Sequence, residues 1–472
     1  MDIIRQENCE YRIKQVSKYR DDVFCDIISS CKGEIVWQDK TLKDVKKVVF
    51  INSAPRSGSS LLFLLLQRFP QIYSLSGESV PFFKLNNISC MQHLTDTISS
   101  AYVFPSEQIA SFSRDILSDC HVSDSLCMLD NLRHDVVCSY IDELALRFSL
   151  QWPDVSFSYD LFKDVAFKVF YSSLKKNNKF CLQCFYLDLI AGLRQAGYEK
   201  INPYYYDIPA DIVQSYFPEL DIPSAPPCKI MTIEEPPFIL LPPRKRIEFK
   251  DLSEKILLLK APVNCYRMGF WMDVFKNAEV KVIHLVRNPM ASVNGLYDGW
   301  QYRGFFSHNL YNFFGSKDGG MQSLAIDGYS DLYEWGKWWW KYDLPPGWEK
   351  YVASRLEEVC LFQWMAANRV ILQHKQESGV EYINVRYEDI VKDISTRTKE
   401  LIKIAEFLGI DIKDNIKQIN TERLPLVQAT KKPVPFRWRE RGSILLRMLE
   451  RKEVQDLCYY LGYNLYRLDE WI

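Results

Sequence analysis

The sequence has no long apolar run, almost no net charge and six histidines in 472 residues. No uncharged apolar stretch reaches the roughly 18 residues that a membrane helix needs, so no transmembrane segment is expected. Residues 1–20 are polar and lack the apolar centre of a secretory signal. Fifty-nine basic residues against 60 acidic ones leave a net charge of −1 and a pI near 6.6, which argues against a nucleic-acid partner. No low-complexity tract is present. With 47% hydrophobic and 25% charged residues, the composition excludes disordered, collagen-like and coiled-coil chains. The 13 cysteines are odd in number and scattered without a framework, which predicts reduced thiols and a cytoplasmic setting. Metal-site spacing is also missing. Cys181-x-x-Cys184 is a lone pair, and His134 with Cys138 is another at helical spacing, with no zinc-type spacing to join them. No metal is expected, and His284, inside an apolar run, reads as core.

Strand and helix signals alternate on both sides of a less regular middle. Residues 1–45 read as a helical, mixed-charge lead-in. Lys47-Val48-Val49-Phe50-Ile51-Asn52 is a continuous apolar run of the kind a strand buried on both faces shows. A small-residue loop at 53–60 follows, then an all-round apolar helix from Leu61 and a second strand at 72–75. Helical patterns at 107–119, 130–150 and 183–196 lead into a segment where ten of the 22 prolines fall between Pro203 and Pro243. That density suits ordered irregular chain rather than central strands. The alternation resumes with strands at 256–259 and 280–286, a helix at 266–276, another from Pro289, and a long helix at 355–376. A strand at 381–386, a helix at 396–408 ending at Gly409, and a final helix at 443–461 complete the pattern. The predicted fold is α/β: one parallel sheet flanked by helices, formed by 46–84 and 250–472, with a helical then proline-rich insertion at 85–249.

A strand, a tight loop and a helix make a geometry that binds phosphate, because loop N–H groups and the helix N-terminus face the anion. In Ser53-Ala54-Pro55-Arg56-Ser57-Gly58-Ser59-Ser60 the glycine permits close approach and the serines add donors. The ATPase pattern G-x-x-x-x-G-K-S/T is absent, since the cation Arg56 precedes the glycine and no lysine follows it. A plain turn between core elements is the other reading of this loop.

The stretch 54–60 resembles the 5′-phosphosulfate loop of the sulfotransferase family, whose usual form is P-R/K-S-G-S/T-S/T. Four further stretches resemble that family in the same order. They are Leu257-Leu258-Leu259-Lys260-Ala261-Pro262, Val282-Ile283-His284-Leu285-Val286-Arg287-Asn288-Pro289, Gln363-Trp364-Met365-Ala366-Ala367-Asn368, and Val385-Arg386-Tyr387-Glu388-Asp389-Ile390 with Phe407-Leu408-Gly409. The likeness covers about 46–84, 255–300 and 355–465, somewhat under half of the chain. It implies a P-loop sulfotransferase-like fold and 3′-phosphoadenosine 5′-phosphosulfate (PAPS) as donor, leaving PAP without a metal. One departure stands out: Gly295 occupies the position where the family's 3′-phosphate motif carries a serine, with Ser292 and Asn294 as substitutes.

The resemblance implies roles. Arg56, Ser57, Gly58, Ser59 and Ser60 hold the phosphosulfate, Lys260 meets charge on the bridging oxygen, and Arg287 recognises the 3′-phosphate. Glu78, in Ser76-Gly77-Glu78-Ser79 after the second strand, resembles the catalytic glutamate of the tyrosylprotein branch and its bacterial relatives, with one extra residue in the spacing, and is the expected base. His308 is the reserve. Arg437, Trp438 and Arg439 are further nucleotide contacts, in the kind of segment the family folds over the nucleotide. Each has a plainer reading: a loop glutamate, structural ion pairs, a charged surface turn. Residues 297–348 carry 16 aromatics in 52 positions, which suits either an acceptor pocket or lid, or a satellite core. The near-neutral stretch favours a small-molecule or glycan acceptor. An ATP-dependent P-loop kinase and a non-catalytic binding module are the competing functions.

Overall fold

The computed structural model describes residues 41–472 except 89–94, 123–133, 177–179, 221–225, 227–231, 236–237, 316–322, 413–415, 417–419 and 421–422. Most of the expected 1–45 lead-in therefore lies outside the described residues. Nine strands are assigned among them: β1 (Lys47–Asn52), β2 (Ile72–Leu75), β3 (Cys120–Val122), β4 (Lys245–Arg246), β5 (Ile256–Lys260), β6 (Glu279–Val286), β7 (His308–Asn309), β8 (Trp339–Trp340) and β9 (Glu381–Arg386). The apolar runs of β1, β2 and β5 are almost wholly buried, as strands covered on both faces must be. They build one seven-stranded sheet in the order β4-β3-β2-β5-β1-β6-β9. The five strands from β2 to β9 run parallel, with Phe50 flanked by Leu259 and Val282. β3 and β4 come from the 85–249 region and add to the β2 edge antiparallel. Sequence reading missed both, because three- and two-residue strands are too short to show a period.

Helices cover the sheet: α1 (Ser59–Leu66), α2 (Val80–Leu85), α3 (Ser106–Ser118), α4 (His134–Gln151), α5 (Tyr159–Lys176), α6 (Leu182–Gln195), α7 (Met268–Val274), α8 (Pro289–Trp300), α9 (Leu356–Glu377), α10 (Ile394–Leu408), α11 (Gly442–Met448) and α12 (Lys452–Tyr460). α1 is buried nearly all round, under the β1–β5 face. α4, α5 and α6 share a separate apolar cluster in which Phe148, Phe162, Phe170 and Phe185 pack edge to face. Helix α5 was not expected, although Phe162, Ala166 and Phe170, all fully buried, repeat at four-residue spacing and carry the signal. The helix expected at 266–276 opens instead as a 3₁₀ turn, Pro262–Arg267. The single helix expected at 443–461 divides into α11 and α12. Arg451 between them is extended (φ −76°, ψ 126°), and its guanidinium grips Glu358 through two bonds of 2.7 and 2.6 Å. α10 ends as expected at Gly409, whose φ of 69° is the left-handed conformation that glycine tolerates.

Candidate active site

Parallel strands deliver their following loops to one edge, and here the loops after β1, β2, β5 and β6 meet round a single cavity of about 730 Å³. The β1–α1 loop forms one wall. Arg56 and Gly58 both take positive φ, 63° and 91°. A Cβ at Gly58 would lie 2.2 Å from ring carbons of Tyr387, so the backbone passes against that ring. The first N–H groups of α1 have no partners within the helix and open beside this loop. The Ser57 hydroxyl and the Arg56 Nε are buried without a hydrogen-bond partner.

Lys260 closes β5 and is almost fully buried. Its ammonium is ion-paired with the Glu78 carboxylate, which stands in the loop after β2 and is about one-third exposed. Arg287 follows β6. Its Nη1 donates to the Arg56 carbonyl at 3.0 Å, and its guanidinium lies 4.4 Å over the Tyr387 ring, leaving Nε buried and unpartnered. Asn288 caps α8 by accepting from the Ala291 N–H (2.8 Å), and is itself held by Glu388. Ser292 turns away from the cavity and donates to the Arg287 carbonyl (3.5 Å). Asn294 and Gly295 do border it, but Asn294 already accepts from Arg441. A Cβ at Gly295 would stand 3.4 Å from the Arg56 Cβ, so the glycine makes room for that arginine.

Arg437 borders the cavity while paired with Asp298, as Arg441 and Lys431 are. Burial works against the Asp298 charge, yet Arg437 and Arg441 hold its carboxyl below the usual range. Trp438 is buried at the rim and donates to the Trp471 carbonyl (2.8 Å). Arg439 is exposed, lies over Phe436 and Trp438, and does not reach the cavity. Of the residues singled out from sequence, Arg56, Gly58, Ser59, Ser60, Glu78, Lys260, Arg287, Asn294, Arg437 and Trp438 line one space; Ser57, Ser292 and Arg439 do not.

Sequence reading missed the strap at 423–435, which crosses the cavity. Gln428 (φ 49°) accepts from Arg56 Nη1 with its carbonyl (2.8 Å) and from the Ser60 hydroxyl with Oε1 (2.5 Å). Its own N–H donates to Asp207 (2.8 Å), whose carboxyl burial pushes up to about 8. A loop with three prolines and no periodicity gives no hint of this position.

Glu235, Phe238, Phe305, Ser307, His308 and Tyr342 face the same space. Phe238 and Phe305 stack at 4.3 Å, and the Arg56 guanidinium sits 5.1 Å from the Phe305 ring. His308 Nε2 lies 3.2 Å from Asp96, which also takes Arg267 at 2.7 Å. The tryptophans at 335, 338, 339, 340 and 348 do not border the cavity. Trp340 and Trp348 are fully buried and pack against each other, and Trp340 against Trp300, so most of the aromatic segment is core rather than acceptor wall. His284 is core as read: burial pushes its imidazole down to about 4, and Asn368 meets Nε2 at 3.1 Å. Cys181 and Cys184 are joined as a disulfide, their Cα atoms 5.2 Å apart at the start of α6, which corrects the expectation of reduced thiols for this pair, while Cys120, Cys138, Cys265, Cys360 and Cys458 are free. His134 and Cys138 touch on α4. Among the described residues no group of three or more His, Cys, Asp or Glu side chains forms a metal site. No helix among them is long and apolar enough to cross a membrane.

No family model and no curated protein matches this chain. Among solved structures it is similar to the sulfotransferase domain from the curacin biosynthetic pathway (12% identical, TM-score 0.34, covering 89% of this chain and 99% of that one). It is also similar to the sulfotransferase domain from the Synechococcus PCC 7002 olefin synthase (15%, TM-score 0.32, 91% and 100%) and to a sulfotransferase from Alicyclobacillus acidocaldarius (10%, TM-score 0.31, 89% and 98%). At such TM-scores these likenesses carry no argument about the chain, whose fold rests on its own sheet.

Proposed function

We propose that this chain is a sulfotransferase that moves the sulfuryl group of PAPS to a hydroxyl of a small-molecule or glycan acceptor. The observation that carries the reading is the meeting of the 56–60 loop, Glu78, Lys260 and Arg287 at the ends of four neighbouring strands, round one cavity. The residues fit an anionic nucleotide: Arg56 and Arg287 line the cavity and each keeps a buried Nε without a partner. When bound, the donor supplies an SO₃ group on a phosphate leaving group, and transfer needs positioning and charge stabilisation more than covalent help.

The chain's own groups divide that work. The loop N–H groups and Arg56 hold the 5′ end, and Arg287 takes the 3′-phosphate that separates PAPS from ATP. Lys260 offers its ammonium to the oxygen on which negative charge grows. Glu78 takes the acceptor's proton, and its ion pair with Lys260 sets base and electrophile side by side. Phe238, Phe305 and Tyr342 offer apolar faces to an acceptor. We extend the reading to a cytoplasmic setting on the free thiols of Cys120, Cys265, Cys360 and Cys458. Thermal shifts with PAP, ADP and AMP test the sulfotransferase reading: stabilisation by PAP well above the other two is expected. An equal ADP shift would favour an ATP-using phosphotransferase, and no shift with any of them a non-catalytic module.

A further inference from the structure

Behind the loop that carries Glu78 lies a buried set of charges for which the proposed reaction has so far no use. Ser76, Asp119, His121, Glu143 and Arg147 are all between 1% and 6% exposed. The Ser76 N–H donates to Asp119 Oδ2 at 3.1 Å, and the Ser76 hydroxyl lies 3.1 Å from His121 Nδ1. His121 reaches Glu143 through Nε2 at 3.1 Å. Arg147 bridges Asp119 (2.6 Å) and Glu234 (2.7 Å), and Glu234 borders the cavity. Gly77 rests on that bridge: a Cβ there would come 3.5 Å from Glu234 Oε1 and 3.8 Å from Arg147 Nη1.

Burying ions costs several kcal/mol each unless they are paired, and apolar side chains would hold a loop more cheaply. What apolar packing does not supply is direction. Arg147 holds the Asp119 carboxylate that takes the Ser76 N–H, and the Arg147–Glu234 pair backs Gly77, so the chain is held on the two residues just before Glu78. Every member except Ser76 comes from the 85–249 region: the end of α3 brings Asp119, β3 brings His121, α4 brings Glu143 and Arg147, and the irregular stretch brings Glu234.

We infer that Arg147, with Asp119 as its anchor, is a positioning residue that aims Glu78 at the acceptor, and that this is a working role of the 85–249 region. The inference rests on the sulfotransferase reading for its chemistry, but not for its geometry. The test combines hydrogen exchange of residues 72–82 with release of PAP from PAPS, water serving as acceptor, in the full chain and in Arg147→Met, Arg147→Lys and Asp119→Asn. In Arg147→Met and Asp119→Asn the amides of 76–78 are expected to exchange at least about tenfold faster, with β5 and β6 unchanged. The kcat should fall about 10- to 100-fold while the KM for PAPS holds, and Arg147→Lys should recover part of it. The near-isosteric Asp119→Asn decides the matter if Arg147→Met does not fold. Wild-type exchange at 76–78 in the variants, or a loss of protection spread over the whole sheet, overturns the inference. Exchange needs no donor, so failure of PAP to bind the wild-type protein would count against the sulfotransferase reading alone.

Discussion

At the end of β5 an almost fully buried ammonium faces a partly exposed carboxylate, and the two cannot be changed independently. Glu78→Gln keeps the size and a hydrogen-bond acceptor beside Lys260 but cannot take a proton. Turnover should fall by roughly 10²–10⁴ with PAP affinity retained. A near-normal rate would pass the role to His308, which Asp96 already holds at 3.2 Å. Arg287 has a double part, since it also bonds the Arg56 carbonyl. Arg287→Ala is therefore expected to weaken adenosine 5′-phosphosulfate somewhat and PAP much more. The extra loss is that of a charge-assisted contact, about 1.5–3 kcal/mol. Calorimetry with both ligands separates the parts: equal losses would leave Arg287 as a prop for the loop.

Two elements shape the proposed donor end. In the β1–α1 loop, Gly58→Ala meets both a left-handed backbone and the Tyr387 ring at 2.2 Å. Gly409, with φ 69° and nothing within 4 Å of its Cβ position, is the natural control. Gly409→Ala should cost about 1–2 kcal/mol from conformation alone, and Gly58→Ala clearly more, with the PAP thermal shift lost. Equal costs in urea melts would mean that Tyr387 moves aside freely. The strap carries a pH dependence through Asp207, raised by burial to about 8. Between the ordinary aspartate value and that figure the folded chain holds a proton that the unfolded chain has released. Stability from this group is thus complete below the ordinary value and is lost as pH rises to about 8. The Tm should decline more steeply from pH 5 to 8 in wild type than in Asp207→Asn. Parallel curves would show that Asp207 is ionised in the folded protein.

For the molecule as a whole, one sheet edge gathers the cavity, and the 85–249 region reaches it twice, through Asp207 beneath the strap and through Glu234 and Glu235. The 297–348 aromatic segment divides between the cavity wall, through Phe305 and Tyr342, and the core. Trp340 lies wholly inside, so Trp340→Ala should destabilise by about 3–5 kcal/mol with PAP affinity unchanged in the folded protein. A stable variant with altered kinetics would return this segment to the acceptor pocket.

The sequence by itself determined β1, β2, β5, β6 and β9, the buried helix after β1, and the order of the loops that follow the strands. A central parallel strand is buried on both faces and must be apolar along its length, and that demand is met locally. The placement of Arg56, Glu78, Lys260 and Arg287 at one edge followed from the same rule. The tertiary structure decided what no local pattern encodes. It set Gln428 against Arg56, 372 residues away, turned Ser292 from the cavity, added β4 to the sheet edge, and drew β3 and Arg147 to the back of the Glu78 loop. Helical or strand periodicity tells which side of an element is buried, but not which distant chain covers it. Polar partners meet only after the apolar faces have chosen their neighbours, so a charge network or a strap over a phosphate loop is settled at the level of the fold.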